Sequence, residues 1–320
     1  MSIAVTVEKP IYLVDYAKGM EDTAAEKPFI ETFAAESDVW GAMPIMPANK
    51  GTREAERTTE LPTVKNRAFN EAGNESSGKT ELFKEDTFLM DEYIKVDRAM
   101  VDRFGPQHRA KQERLKTIAI SQNATRILVS GDNASEPREP NGLKARCKTL
   151  DVDLVHNSAS SGGGALSLVN LDILVRMVRK PTHLIAPRTL MPYFDAAARS
   201  PTLSNNMFTI KPDNLGRNVT HYGNLPILYG YEPDDSPDLL PFNEVASGGG
   251  SAVTSSIYAV SFGSDGFYAI EQTPISVRDE GQLQGQPFLS THMKWDWGLM
   301  REHPRSLARL TSITKATIVA

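Results

Sequence analysis

A stretch of 37 residues from Ala48 to Lys84 carries thirteen charged side chains, seven basic and six acidic. Its only large apolar residues are Leu61, Val64, Phe69, Leu82 and Phe83. Ordering a chain costs about 1–2 kcal/mol per residue in backbone entropy, and so little apolar surface cannot offset that cost. The stretch is therefore either disordered or held extended against something outside itself. It is too long for an ordinary connector inside a folded chain, which makes a functional loop the better expectation.

The rest of the chain has the composition of a globular protein. Its 320 residues are 40% hydrophobic and carry a net charge of -5, enough for a core and for about two domains. Global disorder, a collagen repeat, a disulfide scaffold and a strongly basic nucleic-acid binder are excluded, although a local basic face stays open. The single cysteine, Cys147, can form neither an internal disulfide nor a Cys-based zinc site. Met1 to Tyr16 has no signal-peptide core, and no window approaches the roughly 20 apolar residues of a membrane span. A soluble chain without a membrane partner is expected.

Along the chain, Met1 to Pro47 reads as an irregular or extended arm with short helical options. Leu89, Tyr93, Val96, Met100 and Phe104 are spaced 4, 3, 4 and 4, which predicts an amphipathic helix capped by Asp86 or Thr87. Gly105-Pro106 interrupts it, since proline lacks an amide proton and crowds the preceding turn. A second helix follows and ends at Gly131. Leu115, Ile118, Ala119, Gln122 and Val129 drift along its apolar side, while Arg109, Lys111, Glu113, Arg114 and Lys116 form a charged one. Leu150, Val152 and Leu154 alternate with Asp151 and Asp153 as a half-buried strand.

Leu171 to Val178 is a short helix with Arg176, Arg179 and Lys180 at its end. His183 to Ala186 is a strand, Pro187 opens another helix, and Val219 to Tyr231 is a strand–turn–strand. The loops Ser158 to Gly164 and Ser247 to Ser251 read as mobile. Ile257 to Phe262 is a strand, and a long hairpin closes the pattern, with Met293, Trp295, Trp297 and Leu299 on one face beyond a loop at Asp279 to Gln286. No internal repeat is visible, and the class is α+β.

Gly73-Asn74-Glu75-Ser76-Ser77-Gly78-Lys79-Thr80 matches the phosphate-binding pattern G-x-x-x-x-G-K-[ST] at every fixed position, Gly73, Gly78, Lys79 and Thr80. That chemistry needs a buried strand before the first glycine and a helix after the threonine. A helix is available downstream, but Val64 to Ala72 is too polar for the strand, so the string is read as a chance match. The six histidines have no metalloprotease spacing, no serine-hydrolase elbow occurs, and Cys147 has no assignable base although Lys144 and Arg146 precede it. No catalytic residue, metal or cofactor is expected. The glycosylation patterns at Asn74, Asn123 and Asn218 carry no weight without a secretory signal.

The order of these elements resembles the major capsid proteins of tailed bacteriophages, the HK-97-like capsid fold, over nearly the whole chain. Thr125 to Asp132 followed by Asn141-Gly142-Leu143, Thr182 to Pro187, Tyr222 to Ile227, Ser256 to Gly263, and Trp297-Gly298-Leu299 through His303-Pro304-Arg305-Ser306 are similar to passages of that family. The resemblance implies an N-arm at 1–47, an extended E-loop at 48–84 and a P domain at 85–145 with a long spine helix from Phe88 to Val129. It further implies a mostly A-domain segment at 146–270, and a P-domain hairpin with the final strand at 271–320. The Walker-like string would fall on the outgoing leg of the E-loop.

The resemblance also implies hexamers and pentamers of an icosahedral shell around phage double-stranded DNA, assembled in the host cytoplasm and carried in the virion. It implies scaffolding and portal proteins as partners, allows a decoration or cement protein, and makes the DNA contact non-specific. Lys50, Lys65 and Lys79 stand in or near the loop, but no motif marks one for crosslinking. An encapsulin-like nanocompartment shell shares the fold, and a P-loop NTPase using Gly73 to Thr80 is the alternative from another class.

Overall fold

The computed structural model describes residues 10–20, 27–200, 207–212, 218–231, 238–282 and 284–319. Three short helices come first, α1 (Leu13–Gly19), α2 (Lys27–Glu36) and α3 (Asp38–Ala42), then the strands β1 (Ile45–Pro47), β2 (Thr52–Glu60), β3 (Lys79–Asp86) and β4 (Phe88–Asp97). Helices α4 (Arg98–Phe104), α5 (Pro106–Ser130) and α6 (Leu143–Arg146) lead to β5 (Leu154–His156), α7 (Leu168–Met177), β6 (His183–Ile185) and α8 (Met191–Arg199). The remainder is strand: β7 (Phe208–Pro212), β8 (Asn218–Tyr222), β9 (Leu225–Leu228), β10 (Glu244–Val245) and β11 (Ala252–Val260), then β12 (Phe267–Gln282), β13 (Phe288–Arg301) and β14 (Leu307–Ile313). Among the described residues no helix is long and apolar enough to cross a membrane.

Two sheets organise these elements. One has the order β1-β12-β13-β4, with β1 parallel to β12 and the others antiparallel. The other runs β5-β14-β11-β6-β9-β8-β7, with β10 added beside β11. The final strand β14 lies in this second sheet, so the last segment divides between the two. A separate two-stranded hairpin, β2–β3, belongs to neither sheet.

The first sheet and α5 enclose a core around an aromatic cluster. Trp40 stands 5.0 Å from Trp295 and 5.2 Å from Trp297, and Phe33 5.3 Å from Trp295, ring centre to ring centre. Trp40 and Phe33 are fully buried, so α2 and α3 are built into the chain's own core. Residues 27–47 are not a free arm, because Phe29, Ile30, Phe33, Trp40 and Met43 supply more apolar surface than an extended segment could leave in water. The second core packs α7 and α8 on the second sheet through Leu174, Leu184, Phe194, Phe208 and Leu310.

The helix expected from Leu89 to Phe104 is divided. Residues 88–97 form β4, aligned with β13 from Phe88 opposite Trp297 to Asp97 opposite Phe288. Ile94 and Val96 point inward while Leu89 and Tyr93 are exposed, a period of two that the 4-3-4-4 spacing concealed. Ten-residue pairing with β13, invisible to local spacing, outweighs the helical pattern. The helix starts later, where the Asp97 side chain accepts from the Ala99 amide at 2.8 Å; Asp86 and Thr87 cap nothing. Gly105 (φ 83) and Pro106 then break α4 from α5 as expected.

Helix α5 buries a different face from the one expected. Thr117, Ile120, Ser121, Ala124, Thr125 and Leu128 are buried, whereas Leu115 is half exposed. The hydroxyls make this possible. Ser121 Oγ donates to the Phe33 carbonyl at 2.9 Å, and Thr125 Oγ1 donates to its own Ser121 carbonyl at 2.7 Å. Small satisfied side chains let α2 approach closely.

Downstream, the strand predicted over Leu150 to Leu154 begins only at Leu154. Leu150 and Val152 are exposed in a turn, and Asp153 is buried against Arg301 at 3.1 Å. The glycine loops are not independent mobile segments either. The Gly162 amide donates to the Gly249 carbonyl at 2.9 Å, and an added Cβ on Gly248 would lie 2.2 Å from the Ala159 carbonyl oxygen. Only glycine fits that approach.

Candidate assembly surfaces

The hairpin β2–β3 is the charged excursion of the sequence. Its strands pair from Thr52 opposite Asp86 to Glu60 opposite Lys79, and residues 61–78 form the tip without helix or strand. Val64 is 90% and Phe69 99% exposed, and Leu61 and Leu82 are also largely in solvent. The expectation of an ordered excursion held from outside itself is met at the root alone.

Anchoring comes from the period-two face that holds Arg53, Ala55, Arg57, Phe83 and Glu85. Arg53 Nε donates to the Tyr268 hydroxyl at 3.1 Å, and its Nη1 to the Pro47 carbonyl at 2.6 Å. Arg57 donates to the carbonyls of Glu302 at 2.9 Å and Arg301 at 2.7 Å, with its guanidinium 4.5 Å from the Phe83 ring centre. Burial, and then the neighbouring Arg301, lower the Arg57 pKa from its ordinary value. Glu85 receives Arg146 Nη1 at 2.5 Å. Ala55 and Phe83 pack on a small third core of Met46, Tyr268, Ile270 and Met300.

The Walker-like residues lie in the tip and at the start of the returning leg of this hairpin, not on its outgoing leg, because the strand that precedes the tip ends at Glu60. Gly73 is in the tip with open space around it, and Gly78 sits against the Glu60 carbonyl. Lys79 pairs with Glu60 at 2.6 Å, and Thr80 stands opposite Thr58. Strand β3 follows where phosphate binding needs a helix N-terminus, so the amides are not gathered into a cradle. The helix expected downstream of Thr80 is absent, because residues 79–86 and 88–97 are strand.

A second surface joins α5 to the end of the β12–β13 hairpin. Arg109 pairs with Asp279 at 2.7 Å and with Glu113 at 3.0 Å, and donates to Thr291 Oγ1 at 2.7 Å. The Arg109 hydrogen bond holds the Asp279 carboxyl below the usual carboxylate range. Beside it His292 stacks on Tyr93 at 4.4 Å and contacts Asp91 Oδ1 at 2.5 Å. The charged face read as solvated is thus tied to the hairpin at Arg109.

Polar links also join the two sheets' lobes. Glu244 of β10 receives Arg309 at 2.7 Å and Lys144 of α6 at 2.9 Å. Burial pushes the Cys147 thiol up to about 12, so Lys144 and Arg146 do not activate it. Among the described residues no group of three or more His, Cys, Asp or Glu side chains could hold a metal ion. Sequence reasoning missed the anchoring arginines, although the period-two spacing of 53, 55 and 57 could have found them.

The family model of the major capsid protein GP7 matches residues 21–191, over half of the chain, from just ahead of α2 to the first residue of α8. The chain belongs to the major capsid protein GP7 family. That is a family of structural proteins of the phage capsid, and membership puts this chain in the virion. No curated protein matches it.

Among solved structures, this family member is similar to a chain of the holo-SrpI encapsulin complex from Synechococcus elongatus. They share 15% identity and a TM-score of 0.62 over 87% of this chain and 88% of that chain. A Mycobacterium phage Bobi chain gives 12% identity and a TM-score of 0.58 over 86% of this chain and 90% of that chain. The capsid of cyanophage A-1(L) gives 11% and 0.56, over 87% and 93%. At these identities the likeness is one of fold, and the fold is HK-97-like.

Proposed function

We propose that copies of this chain build the hexamers and pentamers of an icosahedral shell that encloses phage double-stranded DNA. The GP7 family match carries this reading. The hairpin supports it. A 61–78 tip with Phe69 and Val64 in water finds its burial partner in another chain, and many modest interfaces add up in a closed assembly.

In this assignment β2–β3 and its tip are the E-loop. Helix α5, with the sheet β1-β12-β13-β4, is the P domain, and its spine helix is Pro106–Ser130 rather than Phe88 to Val129. The second sheet with α7 and α8 is the A domain. Any N-arm is confined to the chain ahead of α2, and residues 1–9 and 21–26 lie outside the described residues. The 279–286 tip, braced by Arg109, meets other capsomers. Assembly takes place in the host cytoplasm with scaffolding and portal proteins; a decoration protein and non-specific DNA contact complete the partners. The protein does no catalysis.

Negative-stain microscopy of the purified chain, alone and co-expressed with a scaffolding protein, tests the assignment. Shells are expected; monomers or small oligomers under both conditions would overturn it. The likeness to the SrpI encapsulin chain favours a second reading, a nanocompartment shell. A copurified enzyme inside the shells, in place of phage DNA, would select it. Saturable ATP binding lost in Lys79→Ala would instead revive the nucleotide reading.

A further inference from the structure

The charges that look evenly mixed in the sequence are sorted by the fold. Arg53 and Arg57 turn inward to the hairpin's root, while Glu54, Glu56 and Thr58 alternate outward and are exposed. Opposite them on the same face stand Lys84, Leu82 and Thr80. The outward face is thus an exposed leucine with Glu54 and Glu56 across from it and Lys84 beside it, and neither Glu54 nor Glu56 has an ion-pair partner among the described residues.

A complementary surface exists elsewhere on the chain. The outer side of α7 presents Val169, Ile173 and Arg176 at helical spacing, the first two 59% and 43% exposed. Just beyond its end come Arg179 and Lys180, joined by Arg305 from the turn between β13 and β14. Arg305 Nε donates to the Met177 carbonyl at 3.0 Å and its Nη2 to the Arg176 carbonyl at 3.2 Å, fixing the turn against the helix end. All four cations are exposed and without a carboxylate partner among the described residues, in a chain of net charge -5. His303 beside them has its pKa lowered by burial and then by Arg179, Arg57, Arg305 and Arg301.

We infer that the outward face of the β2–β3 hairpin docks on the α7 surface of a second copy of this chain, Leu82 against Val169 and Ile173, and Glu54 and Glu56 against Arg176, Arg179, Lys180 and Arg305. The inference rests on the shell reading and names the acceptor for its hairpin. Glu54, Glu56 and Leu82, which stands opposite Glu56, lie along the first five residues of the hairpin from Thr52, about 16 Å at about 3.3 Å each, so the contact joins subunits packed side by side. Two different patches on one chain make a head-to-tail contact, the kind that closes into rings. Each exposed ion pair contributes little alone, so the interface depends on several acting around one apolar contact and weakens with salt.

The test is charge exchange in the full chain. Arg176→Glu with Arg179→Glu, and separately Glu54→Arg with Glu56→Arg, should each cut the yield of sedimenting shells at low salt at least tenfold. Subunit melting temperature should stay unchanged, since all four side chains are exposed. The quadruple variant, with signs exchanged on both surfaces, should recover shells to within about twofold of the wild type. Wild-type yields from either double variant, or no recovery in a quadruple variant whose subunits melt normally, would overturn the inference and leave the shell reading standing. So would R176E/R179E shells that form normally and lose only bound nucleic acid, which would assign the patch to a polyanion. Absence of shells from the wild type itself would overturn both.

Discussion

Replacing Trp40 by alanine tests whether residues 27–47 belong to the subunit's own core. Trp40 is fully buried and makes three ring contacts, with Phe33 at 5.9 Å, Trp295 at 5.0 Å and Trp297 at 5.2 Å. A buried aromatic side chain removes about 150–250 Å² from water, and at about 25 cal/mol per Å² that is roughly 4–6 kcal/mol. Measured Trp→Ala changes fall at about 3–5 kcal/mol, and a loss of about 4 kcal/mol is a large part of a typical domain stability of about 5–15 kcal/mol. The assay is urea unfolding of the dissociated subunit followed by tryptophan fluorescence. All three tryptophans of the chain, Trp40, Trp295 and Trp297, lie in this cluster, so the signal reports on this core alone. With a slope of about 3 kcal/mol per M, the midpoint should fall by more than about 1 M. A midpoint unchanged within about 0.3 M, with shells that nonetheless fall apart, would refute the reasoning. It would mean that α2 and α3 exchange between subunits.

Other substitutions separate folding from assembly. Phe69→Asp, at a side chain 99% exposed, should change subunit stability by less than about 0.5 kcal/mol while lowering shell yield; a large drop in subunit melting temperature would contradict the open tip. Gly248→Ala should destabilise the second lobe by about 1–3 kcal/mol because its Cβ would meet the Ala159 carbonyl at 2.2 Å. Gly73→Ala, with nothing within 4 Å, should be near neutral in the same melting experiment. For Asp279, the lowered carboxyl pKa means a contribution that is complete above the ordinary aspartate value of about 4 and fades as pH falls through the lowered one. Asp279→Asn should therefore melt below the wild type at neutral pH and converge with it in acid; a gap independent of pH would contradict the Arg109 brace.

Some of the architecture was legible because its signal is local. The strand alternation of Met293, Trp295, Trp297 and Leu299 depends on one face being buried, and all four are buried as read. Gly105-Pro106 breaks a helix through its own covalent geometry, wherever the chain packs. The poverty of apolar residues between Ala48 and Lys84 fixes that stretch as unable to build a core, and neither strand of β2–β3 does so. The family resemblance was likewise carried by the order of elements, which composition cannot scramble.

Other features depend on partners distant in the chain. Residues 88–97 have helical spacing, yet β13 lies about two hundred positions away and its ladder decides for strand. Thr117, Ser121 and Thr125 read as polar, but a carbonyl of α2 and the helix's own backbone satisfy the hydroxyls of Ser121 and Thr125, which turns that side of α5 inward. Nothing in residues 1–47 tells a crossing arm from a core element until Trp40 meets Trp295 and Trp297. By itself the sequence determined where core could not form and where the backbone had to break. The tertiary structure alone decided which faces were buried and how the hairpin's charges were sorted, because pairing and desolvation are set by partners that local spacing does not reveal.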